Sequence, residues 1–390
     1  MNINLITSVT GFPHGTATAN RIKMIAKALI NQGNHFCVYT NCFLFNKYNT
    51  LPKGQYEGID FLYLHGHTEE INSNLKKLLL FLKGIIRLHH VISKLDPKID
   101  IIYICAQGKI FNVITILLSK LYRIKVIEEI NEWNHVVLNR KIEKIINEGP
   151  LIKWTDGAIV ISNKLDRTIK AIVPNYTTIL IPVLEDAEKF NRLTPVKENI
   201  SQYCFWMGLV DGYLHDILFI IKGLGLAYKN GYNYNFTISG PYNQDSLNKI
   251  INNAAEFGYP FQNINLLGYI SEDELMNQCK NAHFYIVPLA DDIRSQSRFP
   301  TKVASYMFCG KPILTSKIGE VGSLLEDYYN VLYYTPDDFN SLSEKIKLLS
   351  TNVHLYKTIC TNTTKFAINN FDYKIYGNRI HTFFSEILSK

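Results

Sequence analysis

The sequence predicts an α/β protein of two doubly wound, Rossmann-like parallel-sheet domains. With 390 residues and a 47% hydrophobic content, the chain can bury more than one core. Short apolar runs of strand character alternate with segments whose apolar residues recur at helical spacing, and glycines stand where the helices stop. A polar stretch over 186–200, carrying Pro195, interrupts that alternation and reads as a linker. The expected domains are therefore 1–188 and 200–371, with a final helix over 372–390.

The first domain opens with a strand over 3–9, a loop over 10–18, a helix over 19–32 whose apolar face is Ile22, Ile25, Ala26, Leu29 and Ile30, and a strand over 34–40. The loop at 11–17 thus lies at the carboxyl end of the first strand, where open α/β sheets bind ligands. It does not match GxGxxG, which argues against a dinucleotide redox cofactor. Residues 56–64 form a strand candidate, and 75–95 form a long helix that mixes a very apolar body with Lys76, Lys77, Lys83, Arg87, His89 and His90. Such a helix fits a membrane interface, and it equally fits a core helix whose charges snorkel outward. Strands over 99–105 and 125–130 flank a helix over 109–121. The latter strand ends in Glu129, Asn131 and Glu132, polar groups that a cleft position would supply with partners.

In the second domain, strands over 203–208, 236–239, 264–268 and 283–288 alternate with helices, and Ser271 with Glu274 forms a capping box. The densest local chemistry lies in 297–325, SRFPTKVASYMFCGKPILTSKIGEVGSLL. Pro300 suits the first turn of a helix running to Phe308, Gly310 ends it, 312–316 is a buried strand, 317–322 a turn, and a further helix begins at Ser323. Two helix N-termini in one place suit an anion such as a diphosphate.

This segment resembles the donor-binding region of glycosyltransferase family four, the retaining enzymes of GT-B architecture, whose usual pattern is close to FPTKVLEYMACGKPVVATDVGGVPEL. Further resemblances lie in 155–162, 179–190, 236–241 and 263–275. They imply two domains facing a central cleft, a last helix crossing back to the first domain, and transfer of a sugar from a nucleotide diphosphate to a glycan acceptor, lipid-linked, in bacterial surface polysaccharide synthesis. They also imply no metal and no other cofactor. By this resemblance Gly15 and Thr16 approach the donor phosphates, and Gly240 and Tyr269 belong to the turns around the nucleotide, whose base rests near 268–270. Arg298, Phe299, Pro300, Thr301 and Lys302 open the donor helix; Glu129, Asn131 and Glu132 face the acceptor; and Asp291 and Asp292 are candidates for sugar hydroxyls. Where the family carries two glutamates eight positions apart, this chain has Ser297 and Ser305. The usual Arg after the first strand of the second domain is also missing, leaving Arg298, Lys302 and His215 as phosphate partners. These departures keep open a non-catalytic GT-B partner subunit. A nucleotide-sugar epimerase has less support, because no suitable trio of carboxylates and histidine stands out.

The net charge of +7 comes from residues 1–190, which hold 23 Lys and Arg against 16 Asp and Glu. That excess is modest, and without a recognition motif it gives no support to nucleic-acid binding. Seven scattered cysteines without CxxC spacing read as reduced thiols, with no metal site among them. The first residues have strand rather than signal-peptide character, and no uncharged apolar run reaches 18 residues. The expectation is a cytoplasmic protein, peripheral at the inner membrane face through the 75–95 helix.

Overall fold

The computed structural model describes residues 1–15, 17–105, 110–132, 140–192 and 202–390. The chain divides into two compact units, one formed by Met1–Glu185 with Asp372–Lys390 and the other by Asp186–Phe371.

The first unit is built on an eight-stranded sheet: β1 (Asn2–Thr7), β2 (His35–Thr40), β3 (Lys53–Tyr56), β4 (Ile59–Tyr63), β5 (Asp100–Cys105), β6 (Lys125–Ile130), β7 (Gly157–Val160) and β8 (Thr178–Leu180). Their order is β3-β4-β2-β1-β5-β6-β7-β8, and every pairing is parallel except β3 with β4. The order reverses between β1 and β5, so the crevice of this sheet opens beside the loop that follows β1. Residues 56–64, expected as one strand, are instead the second half of a hairpin. Glu57 and Gly58 both take positive φ, at 51° and 80°, and turn the chain within two residues.

Apolar side chains fill both faces of this sheet, as a parallel sheet covered by helices requires. On one face lie the helix Ala17–Ile30 and the last helix, Tyr373–Ser389. Asp372 caps the last helix, and Ile380, Phe384 and Ile387 are fully buried against Ile3, Leu5 and Tyr103. The other face is covered by the helices Asn74–Ile92 and Ile110–Leu121 and the segment from Lys141 to Leu151.

The second unit has a six-stranded, wholly parallel sheet: β9 (Tyr203–Met207), β10 (Asn235–Ser239), β11 (Ile264–Gly268), β12 (Phe284–Val287), β13 (Ile313–Thr315) and β14 (Leu332–Tyr333). The order β11-β10-β9-β12-β13-β14 places its switch point between β9 and β12. The donor-segment helix runs from Thr301 to Phe308. The turn expected at 317–322 is for the most part a short helix, Gly319–Leu324, which ends where a helix was expected to begin. Gly319 opens that helix: its left-handed φ of 55° turns the chain, and the Ser295 carbonyl oxygen would lie 2.5 Å from an added Cβ, so the glycine serves both the turn and close packing.

Candidate functional site

The switch point of the second unit gathers the strongest electrostatic cluster. At the ends of β9, β10 and β11 stand Gly208, Gly240 and Gly268. Gly208 N–H donates to the Ser239 carbonyl at 2.9 Å, and Gly240 N–H to that of Gly268 at 2.8 Å. A Cβ on Gly240, whose φ is 141°, would lie 1.7 Å from the Gly208 carbonyl oxygen, so these two turns touch backbone to backbone. Tyr269, one residue past β11, is exposed along the same edge.

Trp206 is the last residue but one of β9 and is fully buried. The helix Thr301–Phe308 is fixed beside it, since the Tyr306 hydroxyl accepts the Met207 N–H at 3.0 Å and the Tyr306 ring stacks on Tyr285 at 3.9 Å. This places Lys302 Nζ 3.8 Å above the Trp206 ring and 5.1 Å from that of Tyr213. The Tyr213 ring also lies under the guanidinium groups of Arg294 and Arg298, at 5.3 and 5.4 Å. Its hydroxyl accepts from Arg298 Nη1 at 2.9 Å and from Arg294 Nη2 at 3.5 Å. Burial pushes Lys302 down to about 7, opposed by nearby Asp216 and reinforced by Arg298. Burial also raises the Asp216 carboxyl, while Lys302, Arg298, His215 and Arg294 pull it back. His215 and Asp216 line a small pocket with Pro288, Leu289 and Tyr334, between the ends of β9 and β12. Three cations held against two aromatic rings suit an anion, because little further ordering is needed when it binds.

Around this cluster the other expected residues divide sharply. Ser297 is buried and its hydroxyl donates to the Ile293 carbonyl at 2.5 Å, within its own short helix. Ser305 is buried as well. Asp292 caps the helix Ile293–Ser297 by accepting the Ser295 N–H at 2.6 Å, and Asp291 accepts from Gln296 at 2.7 Å. Phe299 packs on Phe371 at 5.4 Å, Pro300 is the buried residue before the helix, and Thr301 and His215 are exposed. Trp206, Tyr213, Arg294 and Asp216 were not among the sequence candidates. A buried tryptophan at a strand's carboxyl end was the one available signal.

In the first unit, Gly15 lies in the loop after β1, where an added Cβ would meet Thr10 Oγ1 at 2.6 Å. Thr16 falls outside the described residues. The loop is held by Tyr63, whose hydroxyl bonds both the N–H and the carbonyl of Phe12, and by Asn49, whose side chain does the same for His14. Glu129 is 1% exposed. Arg21 Nε pairs with Glu129 Oε1 at 2.5 Å, the Tyr103 hydroxyl donates to the other carboxylate oxygen, and the Arg21 guanidinium also donates to the carbonyls of Ile181 and Pro182. Both oxygens of the expected acceptor-side carboxylate are therefore engaged inside the unit. Asn131 and Glu132 are half-buried after the strand. Glu128 faces the opposite side of the sheet, fully desolvated, with Oε2 lacking a hydrogen-bond partner among the described residues. Burial pushes its carboxyl up to about 8.

Residues 217–366 match the family described as Glycosyl transferases group 1. The match covers most of the second unit, including Lys302 and both arginines of the cluster. An uncharacterized glycosyltransferase of Methanocaldococcus jannaschii is 34% identical over 104 residues, 27% of this chain; the match spans 28% of that protein's length. Among solved structures, sucrose-phosphate synthase from Thermosynechococcus elongatus superposes with a TM-score of 0.76 at 14% identity, covering 100% of both chains. HepE of Anabaena, in complex with UDP and glucose, gives a TM-score of 0.72 at 16% identity, covering 98% of this chain and 99% of that one. The trehalose-6-phosphate synthase OtsA gives 0.69 at 11% identity, over 99% of each. The chain has the GT-B fold.

Proposed function

We propose that the protein is a retaining glycosyltransferase that moves a sugar from a nucleotide diphosphate donor to a glycan acceptor. The single observation that carries this reading is the cation cluster of Arg294, Arg298 and Lys302 at the switch point of the second unit, within the group 1 match. In a glycosyl transfer, negative charge builds on the departing diphosphate. Cations already fixed on the Trp206 and Tyr213 rings stabilise that charge without reorganising, which is where electrostatic catalysis gains most. Lys302 is easily deprotonated when the site is empty, and an arriving phosphate would restore its charge. The departing phosphate then helps deprotonate the incoming hydroxyl on the same face of the sugar. We assign the charge neutralisation to these side chains, with no metal ion required. HepE, among the structural neighbours, binds UDP and UDP-glucose, which supports a uridine donor as the first to test. We place the acceptor on a lipid carrier in surface polysaccharide synthesis, met at a membrane face through the helix Asn74–Ile92.

A thermal-shift panel of UDP-, GDP-, TDP- and CMP-sugars tests the donor, because a ligand that binds the folded state raises its melting temperature. Absence of a shift with every nucleotide, in folded protein, rejects the reading. A second reading is favoured by Ser297 and Ser305: neither supplies the carboxylate of the family pattern, and Ser297 bonds inward. In that case the protein is a non-catalytic partner subunit. Nucleotide binding without donor turnover, with or without glycan acceptor, would decide for it. EDTA should leave turnover unchanged, whereas loss of activity that Mg²⁺ or Mn²⁺ restores would refute the metal-free assignment.

A further inference from the structure

The first unit carries an apolar surface that its own fold leaves uncovered. On the helix Asn74–Ile92 the inward residues are Leu80, Gly84, Leu88 and Ile92. Leu75, Leu78, Leu79, Leu82 and Ile86 point outward and are all about half exposed or more. Spacings of three and four make them a continuous stripe. The neighbouring helix Ile110–Leu121 repeats the arrangement: Phe111, Thr115, Ile116 and Ser119 face the sheet, while Ile110, Leu117 and Leu121 are exposed. Phe81 meets Phe111 with ring centroids 6.0 Å apart, and the Tyr122 hydroxyl meets His89 at 2.8 Å, so the two helices lie side by side and run parallel. Beyond them the helix Lys141–Ile146 exposes Ile142 and Ile145 and continues into the turn Asn147–Leu151, which packs on the second helix. All of these elements rest on one core over one face of the sheet, so their exposed sides look the same way.

Charge selects the occupant. Residues 71–95 and 110–127 contain no Asp or Glu, and the helix 141–146 has the single Glu143 against Lys141 and Lys144. Exposed Lys76, Lys83, Arg87, Lys120, Lys141 and Lys144 stand among the apolar stripes. A second copy of this chain would bring like charges together across a symmetric contact. An anionic bilayer satisfies both features, taking the leucines into the acyl boundary and the cations onto lipid phosphates. No helix among the described residues is long and apolar enough to cross a membrane, so the contact is lateral.

We propose that the helices 74–92, 110–121 and 141–146 together form a face that docks the protein flat on a membrane rich in anionic lipid. The proposal deepens the membrane part of the reading above and does not depend on sugar transfer.

The test is co-sedimentation of the full chain with phosphatidylglycerol–phosphatidylcholine vesicles and with pure phosphatidylcholine vesicles. Binding is expected to the anionic vesicles and to fall several-fold between 0.1 M and 0.5 M NaCl, since each basic residue near the surface contributes about fivefold. Two sets of exposed substitutions, Leu79→Glu/Leu82→Glu/Ile86→Glu and Leu117→Glu/Leu121→Glu, should each lower partitioning by at least about tenfold while leaving the melting temperature unchanged. Three outcomes overturn the proposal: no binding to anionic vesicles, binding that neither set reduces, or a dimer in light scattering that these glutamates dissociate. The nucleotide thermal shift should survive both sets, which separates failure here from failure of the donor assignment.

Discussion

Replacing Arg21 by Met should be the most damaging single change in the first unit, and the damage should come chiefly from the charge left behind. Arg21 and Glu129 are both almost wholly buried, and the guanidinium also serves the carbonyls of Ile181 and Pro182. Removing one partner of a buried ion pair costs about 3–5 kcal/mol, because the other charge cannot return to water. For a unit of this size each kcal/mol lowers the melting temperature by about 2–4 °C, so scanning calorimetry should show its transition falling by roughly 10 °C. The decisive comparison is the double substitution Arg21→Met/Glu129→Gln. The neutral amide still accepts from the Tyr103 hydroxyl, so what remains is a set of neutral polar groups, its own NH2 and the two orphaned carbonyls, at about 2 kcal/mol together. The double variant should therefore be more stable than Arg21→Met by about 2 kcal/mol. If it is no more stable than the single variant, the stranded charge is not the cause and the reasoning fails.

Other substitutions probe the second unit and the sheet. Lys302→Ala should weaken nucleotide binding by about 10–100-fold, the worth of a charged hydrogen bond, as read by titration calorimetry. Wild-type affinity should also be higher at pH 6 than at pH 9, and that slope should vanish in the variant. Because the folded fold holds Lys302 below its unfolded value, its cost is full below about pH 7 and fades as pH rises toward the ordinary lysine range. Lys302→Met should therefore raise the urea midpoint at pH 6 more than at pH 9.5. For Gly240→Ala, the added Cβ meets the Gly208 carbonyl, and a loss of about 2–4 kcal/mol together with loss of the nucleotide thermal shift is expected. Glu128 has the opposite sign to a paired carboxylate: its folded value is raised, so its cost appears as pH climbs from the unfolded value to about 8. Glu128→Gln should be nearly neutral to stability at pH 5 and stabilising at pH 9; equal midpoints at both would refute the assignment.

The parts of the fold that were legible in the sequence are those in which one local signal dominates. The strand at Lys125–Ile130 and the final helix with its buried Ile380, Phe384 and Ile387 could be read from apolar runs and helical spacing. The hairpin at Lys53–Tyr63 could not, because Glu-Gly is a weak mark for a two-residue turn and residues 56–64 read as one strand that ran through it. At 317–322 the glycine did mark a turn, but Gly319 makes it in one left-handed residue and the helix starts at once. Glu128 and Glu129 are indistinguishable as letters. Alternation along the strand sends them to opposite faces, one onto Arg21 and the other into an apolar layer. The site was harder still: Trp206, Tyr213 and the cations between Arg294 and Lys302 come from separate segments, and only the sheet's switch point brings them together. Ser297 and Ser305 could be named from the family pattern, whereas the inward bond of Ser297 depends on a helix too short to show a periodicity.

The last helix carries a consequence for how the chain is made. Ile380, Phe384 and Ile387 complete the core that begins at Ile3, so the first unit cannot close until the helix Tyr373–Ser389 has been synthesised. The central segment Asp186–Phe371 has all its strands in hand earlier. On the ribosome the middle of the polypeptide is thus free to fold before its beginning. Meanwhile the first unit waits with apolar strands uncovered, at the stage when chaperones and proteases inspect a nascent chain.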